Sequence, residues 1–479
     1  MDVLVIDATH GGVKLAIEFS KLENYNNIYL YDIYNTLNTE DNEKLKIKNI
    51  KTTTLNDLKS KDLLVVSPVH LPLREDELKS NINAENYRFI THHEAVKILL
   101  DEFFKNFEKI PIVEITGVKG KTSSVFILKE ILKDLHPLIL SSLGIIQVRD
   151  SYDINLKKDI SITPANIKQA VDLAFRIDNP ICDMECNKSE TTNNINYKSM
   201  ILESSLGVTG IGDVGLLTNI VENYPIAKNK SNAKTAKSQI FKCSKIAIDK
   251  KTLEKYYKKE SNEFKSKIIT FSIDDKESNV IVENVEYSFD CTKFKVIFKN
   301  VKTITDRIIS GEFKAKSFAP APHHMENILG AITVALILEI PENKIINGLA
   351  SYKGIVGRTH VKNIDGLKVI EEVNPGINTK TIEYSINMLK NPEKYSIIIG
   401  GDYGVTCEEI NEEKVAKLLD GKTNLNLILT GAVGENINKK LNNPVIFIKD
   451  YEDAIDKSLE NNLNILFIYR SDYHKLSLR

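Results

Sequence analysis

The chain has 479 residues, 64 Lys and Arg against 65 Asp and Glu, a formal charge of −1 and 42% hydrophobic residues. That length exceeds one ordinary core and predicts about three domains, each able to bury a sizeable interior. The charge balance gives no global electrostatic argument for nucleic acid or an anionic membrane surface, so no nucleic-acid or membrane partner is expected and any anion site is local.

No stretch approaches the roughly 18 apolar residues of a membrane span, and the opening MDVLVIDATHGG reads as a strand with no basic leader. A soluble cytoplasmic protein is expected. The five cysteines, Cys182, Cys186, Cys243, Cys291 and Cys407, are odd in number and scattered, which disfavours a disulfide framework. Cys182 and Cys186 have no second pair to complete a metal site and read as loop residues.

From the N-terminus, residues 3–6 read as a strand, Thr9-His10-Gly11-Gly12 as a turn, 13–22 as a helix and 28–31 as a second strand, a βαβ start. A strand at 63–66 ends in Ser67-Pro68-Val69-His70, and His92-His93 opens a helix running towards Phe104. These elements predict a small parallel α/β domain over residues 1–107. The second domain, 108–357, begins with the apolar run 110–115, the turn Thr116-Gly117-Val118-Lys119-Gly120-Lys121-Thr122-Ser123, and a helix carrying Val125, Leu128, Leu132 and Leu135 until Pro137. Polar residues 178–199 predict a surface loop. Strands at 199–202 and 214–217 end in Glu203 and Thr218-Asn219, where an α/β site lies. Residues 268–309 alternate apolar and charged side chains and predict antiparallel strands flanking the parallel core; 328–338 is an apolar helix. From Arg358 five strands, at 368–370, 396–399, 425–429, 445–448 and 465–468, separated by helical stretches, predict a third α/β domain over 358–479.

The strand, glycine turn and helix around Gly117 to Ser123 carry the chemistry. Glycines let backbone N–H groups approach phosphate oxygens, the helix start adds positive potential, Lys121 can reach the β/γ-phosphates and Thr122 can hold Mg²⁺. The spacing is Gly-x-x-Gly-Lys-Thr, shorter than the full Walker pattern, with Ile115 where that pattern has its first glycine.

Other landmarks follow in order: Glu203-Ser204-Ser205, Leu217-Thr218-Asn219-Ile220, Ala236-Lys237 before Phe241, His323-x-x-x-Asn327, and Gly354-x-x-Gly357-Arg358. Together with the phosphate turn this set resembles the Mur ligase superfamily over most of the chain. The resemblance implies an α/β, three-domain Mur-ligase-like architecture, with a central P-loop ATPase domain flanked by two smaller Rossmann-like domains. It implies an enzyme that uses ATP and Mg²⁺ to activate a carboxylate as an acyl phosphate.

By the same resemblance Thr116, Gly117, Val118, Lys119, Gly120, Lys121, Thr122 and Ser123 hold the nucleotide phosphates, Asn327 faces the adenine, and Arg358 reaches the γ-phosphate region. Thr122 and Glu203 would be Mg²⁺ ligands, with Lys237 matching a lysine that several members carbamylate to make a further ligand. Lys121, Glu203 and Arg358 are thereby the catalytic candidates, because positive charge must offset the repulsion between anions in phosphoryl transfer to a carboxylate.

Two departures matter. Glu222-Asn223-Tyr224 follows Thr218-Asn219 where the superfamily usually has Asp-His, and the third-domain nucleotide loop appears only as Glu371-Glu372-Val373-Asn374-Pro375-Gly376. No amino-acid recognition motif is evident around Gly400-Gly401-Asp402-Tyr403-Gly404 and Thr406-Cys407-Glu408-Glu409. With Asp7 to Gly12 and Asn374 to Asn378, this pattern resembles a divergent archaeal branch of the superfamily that acts on a nickel tetrapyrrole, closing a carbocyclic ring with the metal arriving inside the substrate. Thr9, His10, Gly11, Gly12, His70 and His92, at predicted strand ends or helix starts, are candidate contacts for such a small molecule. Adjacent glycines would let a ligand approach the backbone beside His10. The alternatives are an amide-forming peptide ligase that adds an external amino acid, as in pseudomurein synthesis, and a nucleotide-binding module without turnover.

Overall fold

The computed structural model describes residues 1–479 except 151, 159, 181–193, 406–408, 423–424, 472–475 and 477–479. Cys182, Cys186, Cys407 and most of the polar segment 178–199 lie outside the described residues. The chain forms two compact units: one comprises 1–287, 291–317 and 322–352, the other 288–290, 318–321 and 353–479.

The first unit opens with five strands, β1 (Asp2–Ile6), β2 (Ile28–Tyr31), β3 (Lys51–Thr52), β4 (Lys59–Ser67) and β5 (Asn83–Thr91), in the order β3-β2-β1-β4-β5. All pair in parallel. Val3 to Ile6 in the middle are fully buried, as an unbroken apolar run in a sheet covered on both faces should be. The strand β5 is not legible in the sequence because Asn83 to Arg88 is mostly polar; it lies at the sheet edge, where its side chains meet water. Thr91 and Glu94 then form a capping box that starts the helix His92–Phe104.

Thirteen further strands follow in this unit: β6 (Ile112–Thr116), β7 (Leu138–Ser141), β8 (Gly144–Val148), β9 (Asp153–Lys157), β10 (Met200–Glu203), β11 (Val214–Leu217), the short pair β12 (Pro225–Ile226) and β13 (Ser231–Asn232), β14 (Lys245–Asp249), β15 (Ile268–Ser272), β16 (Val280–Glu286), β17 (Thr292–Lys302) and β18 (Ile308–Ser317). Eleven of them make one sheet, β18-β17-β16-β15-β14-β11-β6-β10-β7-β8-β9. Its middle is parallel. The expectation that 268–309 is wholly antiparallel is corrected: β15 pairs in parallel with both β14 and β16, and only β16 to β18 are antiparallel. A period of two marks a strand with one covered face but says nothing of its neighbour's direction.

One apolar core runs from Val3 and Leu64 through Leu99 and Ala170 to Met200 and Leu202, joining the first sheet to β7 and β10. The helices His92–Phe104 and Pro164–Asp178 meet across it, with Phe103 edge-on to Phe175 at 5.5 Å between ring centres. Each such buried side chain contributes roughly 1.5–3 kcal/mol.

The second unit has β19 (His360–Ile364), β20 (Leu367–Val373), β21 (Tyr395–Gly401), β22 (Asn426–Thr430), β23 (Ile446–Ile448) and β24 (Asn464–Arg470), ordered β19-β20-β24-β21-β22-β23. Five are parallel, at the positions expected from the sequence. The sixth, β19, is an antiparallel addition through Asp365-Gly366, whose φ of 50° and 84° is the two-residue hairpin geometry such a pair favours. Among the described residues no helix is long and apolar enough to cross a membrane.

Candidate active site

Strand β6 lies inside the large sheet between β11 and β10, and the chain leaves its carboxyl end through the glycine turn into the helix Lys121–Ile131. Gly120 has a φ of 82°, and a Cβ there would stand 2.0 Å from Asn327 Oδ1; Gly117, at φ 148°, would put one 1.9 Å from Thr218 Oγ1. Both positions therefore require glycine. Asn327 is thus lodged against the turn, from the helix Pro322–Ile337.

The turn is tied from its neighbour β11. Val118 N donates to Asn219 O at 2.9 Å, Lys119 N to Asn219 Oδ1 at 3.1 Å, and Thr218 Oγ1 to Lys119 O at 2.6 Å. The start of the helix also presents its first amides, which have no partner within the helix, a geometry that can hold an anion. Lys121 folds back over the turn, with Nζ 3.2 Å from Gly117 O. Ser123 lies half-buried in the same first turn.

The other neighbour, β10, delivers Glu203. Its Oε1 accepts from Thr122 Oγ1 at 3.0 Å and its Oε2 from Ser142 N at 3.1 Å; Ser142 Oγ is 3.0 Å from Thr122 Oγ1. A buried carboxylate beside a hydroxyl is the hard oxygen donor set that Mg²⁺ takes, so these residues fit the metal. Lys237, fully buried, donates from Nζ to Ser205 O at 2.5 Å. Burial and then the charge of Lys121 hold its ammonium well below the ordinary lysine value.

A second cluster forms where the first sheet ends. The carboxyl ends of β1, β4 and β5 lead to Asp7 and His10, to His70, and to His92 and His93. His10, His70, His92 and His93 line a cavity of about 250 Å³ together with Thr163, Pro164, Ser205 and Leu206. Asp7 is fully buried at φ 79°, and its Oδ2 lies 2.5 Å from His10 Nδ1 and 3.3 Å from His70 Nε2. Burial alone would raise this carboxyl, but hydrogen bonds from His70 and His10, the charge of His10 and the Thr9 amide hold it well below the usual carboxylate range. His92 Nε2 donates to Ile6 O at 3.0 Å, and burial lowers its ring to about 4. Burial, then the neighbouring His92, lowers His93 to about 3.

Of the first-domain candidates, His10, His70 and His92 reach this cavity. Thr9 turns instead to Thr36, with 2.7 Å between their hydroxyls. At the two glycines the close approach is made by protein. A Cβ at Gly11 would stand 2.5 Å from Ala165 Cβ, and one at Gly12 would stand 1.9 Å from Asp7 O. Ser142 is an addition that spacing does not single out, and His93, Ser205 and Asp7, though they fall within the segments already named, carry no assigned role there. The only available signal was position, since each sits within a few residues of a strand's carboxyl end.

In the second unit, Arg358 follows the bridged turn with Ile355, and Val373 N donates to Gly357 O at 2.9 Å. Glu371 is buried against Lys362 at 2.9 Å, and Glu372 accepts from Thr359 Oγ1 at 2.5 Å. These two carboxylates are engaged within their own sheet.

Comparison with known proteins gives a consistent set of relatives. A family profile described as coenzyme F430 synthetase CfbE, C-terminal domain, matches residues 361–472. The chain is 28% identical over 462 residues to a coenzyme F(430) synthetase of Methanocaldococcus jannaschii, covering 94% of this chain and 95% of that protein. It is 27% identical to one of Methanosarcina acetivorans, covering 89% of each. Among solved structures it is similar to MurF from Acinetobacter baumannii, with a TM-score of 0.56, 14% identity and coverage of 88% and 90%. It is also similar to a pseudomurein peptide ligase type C from Methanothermus fervidus, at 0.51, 17%, 98% and 97%. The MurF ligase of Thermotoga maritima, solved in complex with ADP, matches at 0.50 and 16%, covering 87% and 93%. The fold is that of the Mur ligases, as the order of motifs leads one to expect.

Proposed function

For a chain with the Mur-ligase fold that resembles coenzyme F430 synthetases along nearly its whole length, we propose an ATP-dependent ligase that activates a carboxylate as an acyl phosphate. Its reaction is the closure of the carbocyclic ring of 15,17(3)-seco-F-430-17(3)-acid to give F-430, ADP and phosphate. One observation carries the reading: Glu203 bonds Thr122 of the phosphate turn, and two residues later Ser205 lines the histidine cavity. The nucleotide side and the acyl side thus share one loop at the end of β10.

ATP lies with its phosphates over Gly117 to Ser123, and Asn327 stands beside them towards the base. Lys121 and the helix-start amides offset the charge that gathers as phosphoryl passes to the carboxylate. Mg²⁺, when bound, neutralises the phosphate oxygens; Thr122 and Glu203 hold it. Lys237 is fully buried and its ammonium is held well below the ordinary lysine value, a shift towards the neutral amine that carbamylation requires, which supports it as a further ligand once modified. Arg358 acts at the γ-phosphate. The division into 1–107, 108–357 and 358–479 belongs to this proposal and is supported by three separate main sheets.

In the second half-reaction a carbon of the substrate attacks its own acyl phosphate: the carbon–carbon bond forms, phosphate leaves and the carbon loses a proton. His10, His70 and His92 contact the carboxylated macrocycle, one edge of which suits the cavity. No amine donor is needed, in keeping with the missing amino-acid motif. Amide formation is the second reading, favoured by 25% identity over 394 residues to a UDP-N-acetylmuramoyl-L-alanyl-D-glutamate--2,6-diaminopimelate ligase of Clostridioides difficile.

The deciding experiment incubates the protein with ATP, Mg²⁺ and the nickel seco-acid. Loss of one water from the tetrapyrrole, with one ADP and one phosphate, is expected. Phosphate release that requires an added amino acid, with its mass in the product, overturns ring closure.

A further inference from the structure

Asp7, His10 and His70 converge in a way that hydrogen bonds serve poorly. Asp7 Oδ2, His10 Nδ1 and His70 Nε2 form a triangle with edges of 2.5, 3.0 and 3.3 Å. A ring nitrogen carries at most one proton. If both nitrogens donate to the carboxylate, two N–H groups face one another across the 3.0 Å edge; if only one does, the other edge of the acceptor goes unserved. A cation at the centre satisfies all three lone pairs at once.

The dimensions agree. Ligands about 2.0–2.1 Å from a tetrahedral ion stand roughly 3.3 Å apart. Two edges lie within a few tenths of that, and the Asp7–His10 edge reaches it by opening about 0.8 Å, from 2.5 Å, through small rotations of His10. The donors are one carboxylate and two imidazoles, the set that zinc-class ions take. The Asp7 carboxylate is oriented by its own second bond, from Thr9 N to Oδ1 at 2.8 Å. Asp7 also holds a backbone φ of 79°, a conformation that side-chain-bearing residues adopt at a cost and that collects at functional sites. The Asp7 side chain is buried whereas 43% of His10 and 24% of His70 is exposed, so the triangle opens towards the cavity the two histidines line.

We propose that Asp7, His10 and His70 bind a divalent transition-metal ion of the zinc class, with three protein donors and a fourth position facing the cavity. There the ion takes an oxygen donor, a water or a carboxylate of the small molecule. This ion is distinct from the Mg²⁺ of the phosphate turn and from nickel carried within a substrate, and its binding does not depend on the ligase reading.

The test uses the untagged full chain, stripped with chelator and dialysed, with Zn²⁺ alone as titrant and bound metal counted by elemental mass spectrometry. Co²⁺ in place of Zn²⁺ reports coordination through its visible spectrum. One equivalent of Zn²⁺ and a tetrahedral Co²⁺ band are expected. His10→Ala and His70→Ala should each weaken binding by more than about 100-fold, beyond what loss of an outer partner costs. Glu203→Gln should leave one equivalent bound. Wild-type protein that retains well under one equivalent overturns the proposal, and so does binding unchanged in both histidine variants. The wild-type count stands even if a variant fails to fold, which circular dichroism reports.

Discussion

The phosphate turn and the histidine cavity both lie at the carboxyl ends of parallel strands, yet they are assembled in opposite ways. The turn is contiguous, Gly117 to Ser123, and its shape comes from backbone: two positive-φ glycines, a helix start and amides tied to Asn219. The cavity draws single side chains from three strand ends and from around residues 163–164 and 205–206, and the polar contacts of His70, to His10 and Asp7, join residues 60 and 63 apart in sequence. A site made of backbone conformation must be encoded locally, because adjacent residues set the dihedrals. One made of side chains can be scattered wherever topology gathers it.

The sharpest way to break this contrast is Lys121→Ala. Loss of the turn's cation should lower phosphate release about 1,000-fold, with the melting temperature nearly unchanged because Lys121 is half-exposed. Retained turnover would remove the turn from the chemistry. On the cavity side the expected signature is pH. His92 and His93 are depressed from 6.5 to about 4 and about 3, so the unfolded chain takes up protons first. Their contribution is complete above about pH 6.5 and is lost as pH falls towards 4 and 3, on the order of 3 kcal/mol for His92 and 5 kcal/mol for His93. Melting curves across that window should fall steadily, and His92→Asn should flatten the slope. A flat profile in the wild type would mean these rings are not buried neutral.

Glu203→Gln, at the loop common to both regions, should lower turnover about 100-fold, or roughly 2.7 kcal/mol, and raise the Mg²⁺ needed for half-activity. A titration superimposable on wild type would dismiss the ligand role. Gly120→Ala should cost about 1–3 kcal/mol of stability through strain and the collision with Asn327, read in denaturant unfolding. Thr9→Ala is the small end of the scale: an exposed hydroxyl pair with Thr36 is worth under about 0.5 kcal/mol, and a larger loss in turnover would bring Thr9 back to the substrate.

Legibility in the sequence follows the same divide. Apolar runs such as Val3 to Ile6 and Ile397 to Ile399 announce buried parallel strands by themselves. The turn from Thr116 to Ser123 is equally legible, since Gly117 and Gly120 take the positive φ that their spacing before a helix suggests. Polar β5 was invisible because an edge strand is specified by its partner β4 rather than by its own pattern. The direction of β15 was misread for a related reason: pairing partners are a tertiary property. Around His10 the glycines are met by protein, and glycine signals a close approach without saying whether another helix or a ligand makes it. Asp7 is part of the opening motif but has no role legible there, because a buried carboxylate at a strand end gains meaning only once His70 is beside it.

The bonds from Val118 and Lys119 to Asn219 have a kinetic corollary. A loop already held in its working shape surrenders little chain entropy when an anion docks, so nucleotide capture should proceed at a rate set by encounter rather than by reorganisation. Asn219→Ala removes the Lys119 bond, which ends on the side-chain Oδ1, and leaves the Val118 bond to the backbone oxygen; the loosened loop should show up first as slower association, while the dissociation of nucleotide once seated changes less.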